Sequence, residues 1–429
     1  MDYRREAIRD ANRATYPWVF DDSPSPEIPV EAKTLRQWLE FRRGMFWVSG
    51  KGGSGKSTFI KYVTHHPQTR VLLETWSCAK RCLILSYYFS NTGTHLQEST
   101  EGLIRALLYQ IIDSKSELAT IPFPDLDGAS ESSNASNSPG SILLGTWTVP
   151  ELSAGLNRII AHAETTTNMC IFIDGLHECR HDYREVIDLV RRLSRISSSL
   201  KVCVSSRPWN EFADAFGGQS NQTISLHNLT YFDIQSYAST KLRNHPGGQV
   251  VMMEHPGVLE DIIEDIARNS AGVFLWVVLV VESLYDVLSN GAPVAELRQQ
   301  VDVLPPELED FYWHIINSAD PVRRTDIYKI LKLACWASEP LPWILYSVVA
   351  EDHTFLVCSP SPLAVLGCSI SARIDEVRAY TMSYYNKFRR RLNHDSCGLL
   401  EVPLQASDST TDVLSPKVDL FHRSIREFL

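Results

Sequence analysis

Several features are missing from this chain of 429 residues, and each absence narrows its reading. The nine cysteines (Cys78, Cys82, Cys170, Cys179, Cys203, Cys335, Cys358, Cys368 and Cys397) include no C-x-x-C pair and are odd in number. That is the pattern of a reduced, intracellular protein and not of a disulfide-stapled secreted one. The N-terminus, MDYRREAIRD, is charged from the outset and lacks the apolar core of a signal peptide, so a cytoplasmic protein is expected. Long hydrophobic runs are also lacking. The most apolar stretch, Val273 to Val281, is closed by Glu282 and is about half of the ~20 residues a membrane span needs, so it is expected to be a buried helix. Positive charge is in deficit, with 41 Lys and Arg against 51 Asp and Glu and a net charge of -10. A polyanion would be repelled except at a local basic patch, and no nucleic-acid partner is expected. No internal repeat is present.

What is there is globular: 44% hydrophobic and 21% charged residues, in a chain long enough for two or three packed units. Residues 1-44 read as a helical lead-in segment, with a Pro/Ser-rich turn at Asp22–Pro26 and a helix through Leu35, Trp38, Leu39 and Phe41. Short apolar runs at 45-49, 82-89, 169-173, 201-205 and 223-228 then alternate with helical patterns. This is the sign of an α/β domain, a parallel sheet covered on both faces. One helix carries the stripe Leu103, Ile104, Leu107, Leu108, Ile111, Ile112, and another opens at the capping box Thr148-Val149-Pro150-Glu151. Between them, 122-146 is rich in Ser, Asn, Pro and Gly and is expected to be a disordered insertion. After the sheet domain (45-228), a helical domain is expected over 229-320. In it Thr230 to Asp233 would cap a helix, 258-289 would form one long or broken helix, and a new helix would begin at Pro305-Pro306. Residues 321-429 mix helices with strand-like runs at 398-403 and 417-422, which fits a winged-helix-like domain.

Three local patterns carry chemistry. The first is Gly50-Lys51-Gly52-Gly53-Ser54-Gly55-Lys56-Ser57-Thr58, a G-x-x-x-x-G-K-S/T pattern that follows a strand and opens a helix. Its glycines let successive N–H groups point at phosphate oxygens, Lys56 brings positive charge to the β- and γ-phosphates, and the Ser57 hydroxyl binds Mg2+. The second is the apolar strand Cys170-Ile171-Phe172-Ile173 ending in Asp174, which resembles a Walker B strand. Asp174 would hold the Mg2+ through water, and Glu178, four residues on, would polarise an attacking water. The run at 82-89, lying between these motifs, favours the RecA and AAA+ branch, in which a strand is inserted between the P-loop strand and the Walker B strand. The third is Ser205-Ser206-Arg207-Pro208, after a strand and before a helix that Pro208 would open. Arg207 sits at a strand's C-terminal end, where open parallel sheets bind ligands. It is either a sensor of the γ-phosphate or an ordinary solvated or ion-paired arginine.

With these elements in this order, the chain resembles the fungal NACHT-domain proteins, NLR-like members of the STAND class of signalling P-loop NTPases, including those with a nephrocystin-3-like N-terminal NACHT. The resemblance runs through FWVSGKGGSGKST, GLIRALLYQII, IFIDGLHE, VCVSSRPW and GVFLWVVLVV to FHRSIREFL. It implies phosphate and magnesium binding by Lys56 and Ser57, a Walker B aspartate at Asp174, a second acid at Glu178 and a sensor arginine at Arg207. It also implies that His422 is the winged-helix histidine on the bound diphosphate; read alone, the residue could equally be a satisfied histidine on a packed strand. The nucleotide would be ATP or ADP, with GTP left open.

The chain departs from that family in three ways. His177 stands where the family usually has aspartate, which puts rapid hydrolysis in doubt. Gly272-Val273-Phe274 replaces the Gly-x-Pro contact to the base. Where related proteins usually carry an N-terminal effector domain and C-terminal repeats, this chain is expected to be the switch core alone, either a fragment, a truncated gene product or a stand-alone regulator. The function implied is a nucleotide-dependent signalling switch of the incompatibility or innate-immunity kind, with slow hydrolysis, self-association through the NTPase domain and an unknown protein effector. A turnover ATPase and a nucleotide-binding scaffold without hydrolysis are the alternatives.

Overall fold

The apolar runs pair side by side because most are hydrophobic on both faces and must be covered twice. Both β3 (Thr167–Asp174) and β4 (Leu200–Ser206) are buried at every position. They join β1 (Gly44–Ser49), β2 (Arg81–Tyr88) and β5 (Thr223–Ser225) in a parallel sheet of order β2-β3-β4-β1-β5. β4 therefore separates β1 from β3: Gly44 to Ser49 pair with Lys201 to Ser206, and Met169 to Ile173 pair with Leu200 to Val204. The strand expected to intervene, 82-89, runs instead along the sheet edge beside β3. Each parallel connection crosses a sheet face, so order along the chain does not set order across the sheet.

The computed structural model describes residues 3–12, 15–20, 32–78, 80–91, 94–123, 147–180, 183–218, 222–291, 293–318, 321–337, 340–349, 382–389, 392, 399–402, 416–420 and 424–428. The chain divides into two compact units, Met1–Val301 and Asp302–Leu429.

Alternate residues of the strands feed two cores, one on each face of the sheet. Ile171, Ile173, Val202 and Val204 pack with α5 (Thr100–Ser114), α6 (Val149–Ala163), α7 (Tyr183–Ile196) and α8 (Asn210–Phe216). Phe172, Cys203, Phe46 and Val48 pack with α2 (Ala32–Glu40), α3 (Lys56–His65) and α4 (Pro67–Ser77). The α5 stripe is buried as its period requires. At the start of α6, Thr148 N donates to Glu151 Oε2 at 2.8 Å, completing the capping box. Two residues assigned to the insertion, Pro122 and Phe123, are ordered packing instead. The Phe123 ring is buried and stacks on Trp147 with centroids 4.1 Å apart, while 124–146 lie outside the described residues.

Beyond β4 the structure corrects three expectations and decides a fourth between its two alternatives. The α8 helix opens at Asn210 with Trp209 as N-cap, two residues later than a Pro208 start. The run at 223-228 is a strand only to Ser225. Leu226 and Leu229, three apart and both buried, close the short helix α9 (Leu226–Leu229). Asp233 does not cap α10 (Tyr231–Asn244). Its buried carboxylate accepts hydrogen bonds from Tyr16 N and Trp18 Nε1, both 2.9 Å. The 258-289 region is broken into α12 (Val258–Asn269) and α13 (Phe274–Ser289), with α11 (Pro246–Glu254) before them. The break is at Ala271 and Gly272, with φ of 46° and 78°, and a Cβ at Gly272 would lie 1.9 Å from the His227 carbonyl oxygen. Only glycine allows that approach. Among the described residues no helix is long and apolar enough to cross a membrane.

In the second unit a helix begins at Leu308, just after Pro305-Pro306, and the late runs 398-403 and 417-422 supply β7 (Leu400–Glu401) and β8 (Lys417–Leu420). They pair antiparallel, with β6 (Leu341–Pro342) on the other side of β8.

Candidate phosphate-binding site

The loop from Gly50 to Gly55 links β1 to α3 through backbone that side chains resist. Gly53 has φ of 70° and Gly55 of 86°. A Cβ at Gly53 would stand 2.9 Å from Leu275 Cβ, and one at Gly55 2.7 Å from the Tyr16 hydroxyl. The loop is thus tight in itself and closely packed by two distant segments. Lys56, the first residue of α3, is 4% exposed, and its Nζ donates to Gly50 O at 2.7 Å and Lys51 O at 2.8 Å. Ser57 and Thr58 follow in the first helical turn, half-buried, where the helix presents N–H groups and positive potential to an anion.

Asp174 ends β3 and is fully buried. Its Oδ1 accepts from Ser205 Oγ at 2.5 Å, and the same Ser205 oxygen accepts from Gly175 N at 3.0 Å. Asp174 Oδ2 and Ser54 Oγ are buried with no hydrogen-bond partner among the described residues. A buried carboxylate oxygen left so is costly, by about 1–3 kcal/mol or more, unless something outside the protein binds there. The donors present suit a hard divalent cation such as Mg2+: one carboxylate, one serine hydroxyl and, with a nucleotide bound, phosphate oxygens. Among the described residues no group of three or more His, Cys, Asp or Glu gathers as a metal cluster, and Mg2+ held by one or two side chains takes phosphate oxygens and water for the rest of its shell.

Glu178 closes a short turn, Leu176–Glu178, that Gly175 leads in with φ of 76°. The residue is buried, and its Oε1 lies 3.9 Å from His177 Nε2. His177 is buried too and meets the Trp209 ring edge-on at 5.7 Å. Arg207 lies over the same indole at 5.8 Å, and a Cβ on Gly52 would be 3.4 Å from its Nη2, so its guanidinium rests against the phosphate loop. Within the first unit, loop, Arg207 and Trp209 are therefore neighbours, and Trp209 carries His177. His422 lies outside the described residues.

Three further contacts escaped the reading of the sequence. Ser205, within the quoted Ser-Ser-Arg-Pro run, is the residue that holds Asp174. Tyr16 reaches the loop with its hydroxyl 3.4 Å from Gly55 O, from a left-handed backbone (φ 65°) that Asp233 clasps. Leu275 N donates to Gly53 O at 3.0 Å, so the Gly272-Val273-Phe274 region does reach the phosphate loop. Burial raises the Asp233 carboxyl to about 6 against the pull of its two donors, and it also raises the Tyr16 hydroxyl, with Asp233 adding to the rise. His227 is lowered, first by burial and then by Lys51 and Lys56.

A parallel sheet with β4 between β1 and β3, and a glycine cradle opening α3, define a P-loop NTPase fold followed by helices. The family described as Nephrocystin 3, N-terminal, matches residues 27–207. Over 299 residues the chain is 21% identical to the Vegetative incompatibility protein HET-E-1 of Podospora anserina. That match takes in 69% of this chain and 20% of the relative, so the chain spans about a fifth of that protein's length. On these matches the chain is NACHT/STAND-like, similar to the nucleotide-binding NTPases of the NACHT type. Among solved structures it is similar to Drosophila ORC bound to DNA (TM-score 0.37, 11% identity, 98% of this chain and 94% of that one). It is also similar to the Aeropyrum pernix ORC1 protein in complex with DNA (TM-score 0.36, 12% identity, 96% and 94%). These likenesses are too distant to bear on this chain's ligands.

Proposed function

We propose that the chain is a nucleotide-dependent signalling switch that binds ATP or ADP with Mg2+ and hydrolyses slowly. The observation that carries this reading is that two separate segments touch the phosphate loop: Tyr16 of the lead-in at Gly55, and Leu275 at the start of α13 at Gly53. A nucleotide that moves the loop therefore acts directly on both, and a switch needs only that two states differ in affinity for the triphosphate. Lys56 binds the β- and γ-phosphates with the amides of Gly50, Gly52, Gly53, Ser54, Gly55 and Thr58, and Ser57 and Asp174 hold the metal. Arg207 senses the γ-phosphate, and Glu178 orients the attacking water. Slow turnover is supported by His177, an imidazole buried against Trp209 where an acid would assist. The six described cysteines are free thiols, which suits a cytoplasmic site of action. The partners are a protein effector and further copies of the chain, engaged in the triphosphate state, and not nucleic acid.

The test is the nucleotide content of the purified chain, with Lys56→Ala beside it, followed by size-exclusion chromatography with ADP or a non-hydrolysable triphosphate. ADP that copurifies with wild type alone, and association with triphosphate alone, are the expected results. Wild type that binds no nucleotide would leave a scaffold as the better reading. In single-turnover assays His177→Asp is expected to raise hydrolysis about tenfold or more; an already fast wild type would make the chain a turnover enzyme.

A further inference from the structure

The opposite end of β1 is strongly basic. Arg42 and Arg43, just before the strand, and Arg191 and Arg195 of α7 line a cleft of about 520 Å3, together with Ser194 and Gln222. Among the described residues no acidic side chain lines it, in a chain whose net charge is -10. Arg191 and Arg195 are four apart, hence on one helix face, where like charges repel. The cleft is built and not merely crowded: Arg42 Nη2 donates to Gln37 Oε1 at 3.1 Å, Arg191 Nη2 to Ala215 O at 3.1 Å, and Gln222 Nε2 to Arg43 O at 3.1 Å. Those bonds tie the Arg42 guanidinium to α2, hold the Arg191 guanidinium at Ala215 and pin the backbone that carries Arg43.

We propose that this cleft is a second anion site, taking a compact small molecule that carries several phosphate groups. Guanidinium forks match phosphate oxygens two at a time, and four of them around one concavity offer more donors than a single phosphate can use. The volume is that of a small-molecule site. An extended nucleic acid would instead need a basic track beyond the cleft, against the negative charge of the rest of the chain. The site is separate from the phosphate loop: the five steps of β1 from Gly44 to Ser49 span about 17 Å. It shares β1 with that loop, so an anion here bears on the strand that feeds the P-loop.

The experiment titrates myo-inositol hexakisphosphate into the full chain saturated with ADP and Mg2+, by calorimetry at physiological salt. The expected dissociation constant is on the order of 10 μM, weakened about tenfold by Arg43→Glu or Arg195→Glu and lost in the double variant. ADP affinity, unchanged in these exposed-site variants, reports that they fold, and Lys56→Ala leaves the inositol phosphate affinity intact. Co-sedimentation with vesicles containing a phosphoinositide, lost in the double variant, would make a lipid headgroup the source of the phosphates. Soluble binding without co-sedimentation would make it a free anion. No binding at millimolar ligand overturns the proposal. So does binding indifferent to both substitutions, or tighter binding of a duplex oligonucleotide through the same arginines.

Discussion

Two buried charged residues at opposite ends of the parallel sheet, Lys201 and Asp174, differ in how fully they are partnered, and β4 runs past both. Near its start Lys201 is fully buried, yet its ammonium donates to Trp38 O at 2.6 Å and Leu39 O at 2.7 Å in the last turn of α2. It also lies 4.3 Å over the Trp76 ring. That is a cation placed where a helix leaves carbonyls without partners. At the other end Ser205 holds one oxygen of Asp174, while Asp174 Oδ2 and Ser54 Oγ are left without partners among the described residues. A buried polar group that is satisfied belongs to the structure. One that is not, beside a glycine-rich phosphate loop, is a candidate for completion by a ligand.

Substitutions can break or sharpen that contrast. Lys201→Ala strips both carbonyls of their donor and leaves a cavity, and it is expected to cost about 4 kcal/mol in urea unfolding. An effect under 1 kcal/mol would mean that the lysine is not structural. Lys56→Ala is expected to show chiefly in binding: roughly a 100-fold loss of ADP affinity, about 2.7 kcal/mol, read by calorimetry, with a smaller loss of stability because its Nζ also donates to Gly50 O and Lys51 O.

Asp233 provides a third, intermediate case, a satisfied carboxylate that is nonetheless raised to about 6 by burial. Its folded-state value lies above its ordinary 3.8, so the folded state holds the proton more tightly. This contribution is complete below about pH 4 and is lost as pH rises through about 6, by on the order of 2 kcal/mol. Asp233→Asn should flatten that slope in unfolding curves taken across pH 4 to 7. An unchanged slope would show that other groups set it. The smallest expected effect is at Asp174→Asn. Removing an incompletely paired buried charge should stabilise the nucleotide-free chain by about 1 kcal/mol, while Mg2+-dependent triphosphate binding weakens. Loss of both stability and binding would place Asp174 with Lys201 as structure.

The phosphate loop was legible because its chemistry is contiguous: the positive φ of Gly53 and Gly55 and the helix start at Lys56 all lie within a few residues. The strands were legible because burial on both faces demands unbroken apolar runs such as Cys170–Ile173. The Tyr16–Asp233 clasp was not, since 217 residues separate the partners and Asp233 sits where a helix cap is the local expectation. Nor did anything local mark Gly272 as the residue that lets its loop pass the His227 carbonyl.

Residue order alone thus settled the P-loop, the fully buried strands β3 and β4 and the helix stripes, because each depends on backbone conformation or periodicity within one short segment. Folding settled the rest: that β4 and not β2 lies between β1 and β3, that Ser205 holds Asp174, and that four arginines from two distant segments share one cleft. Those relations come from crossover connections and side-chain packing, which join residues far apart in the chain and leave no periodic trace in it.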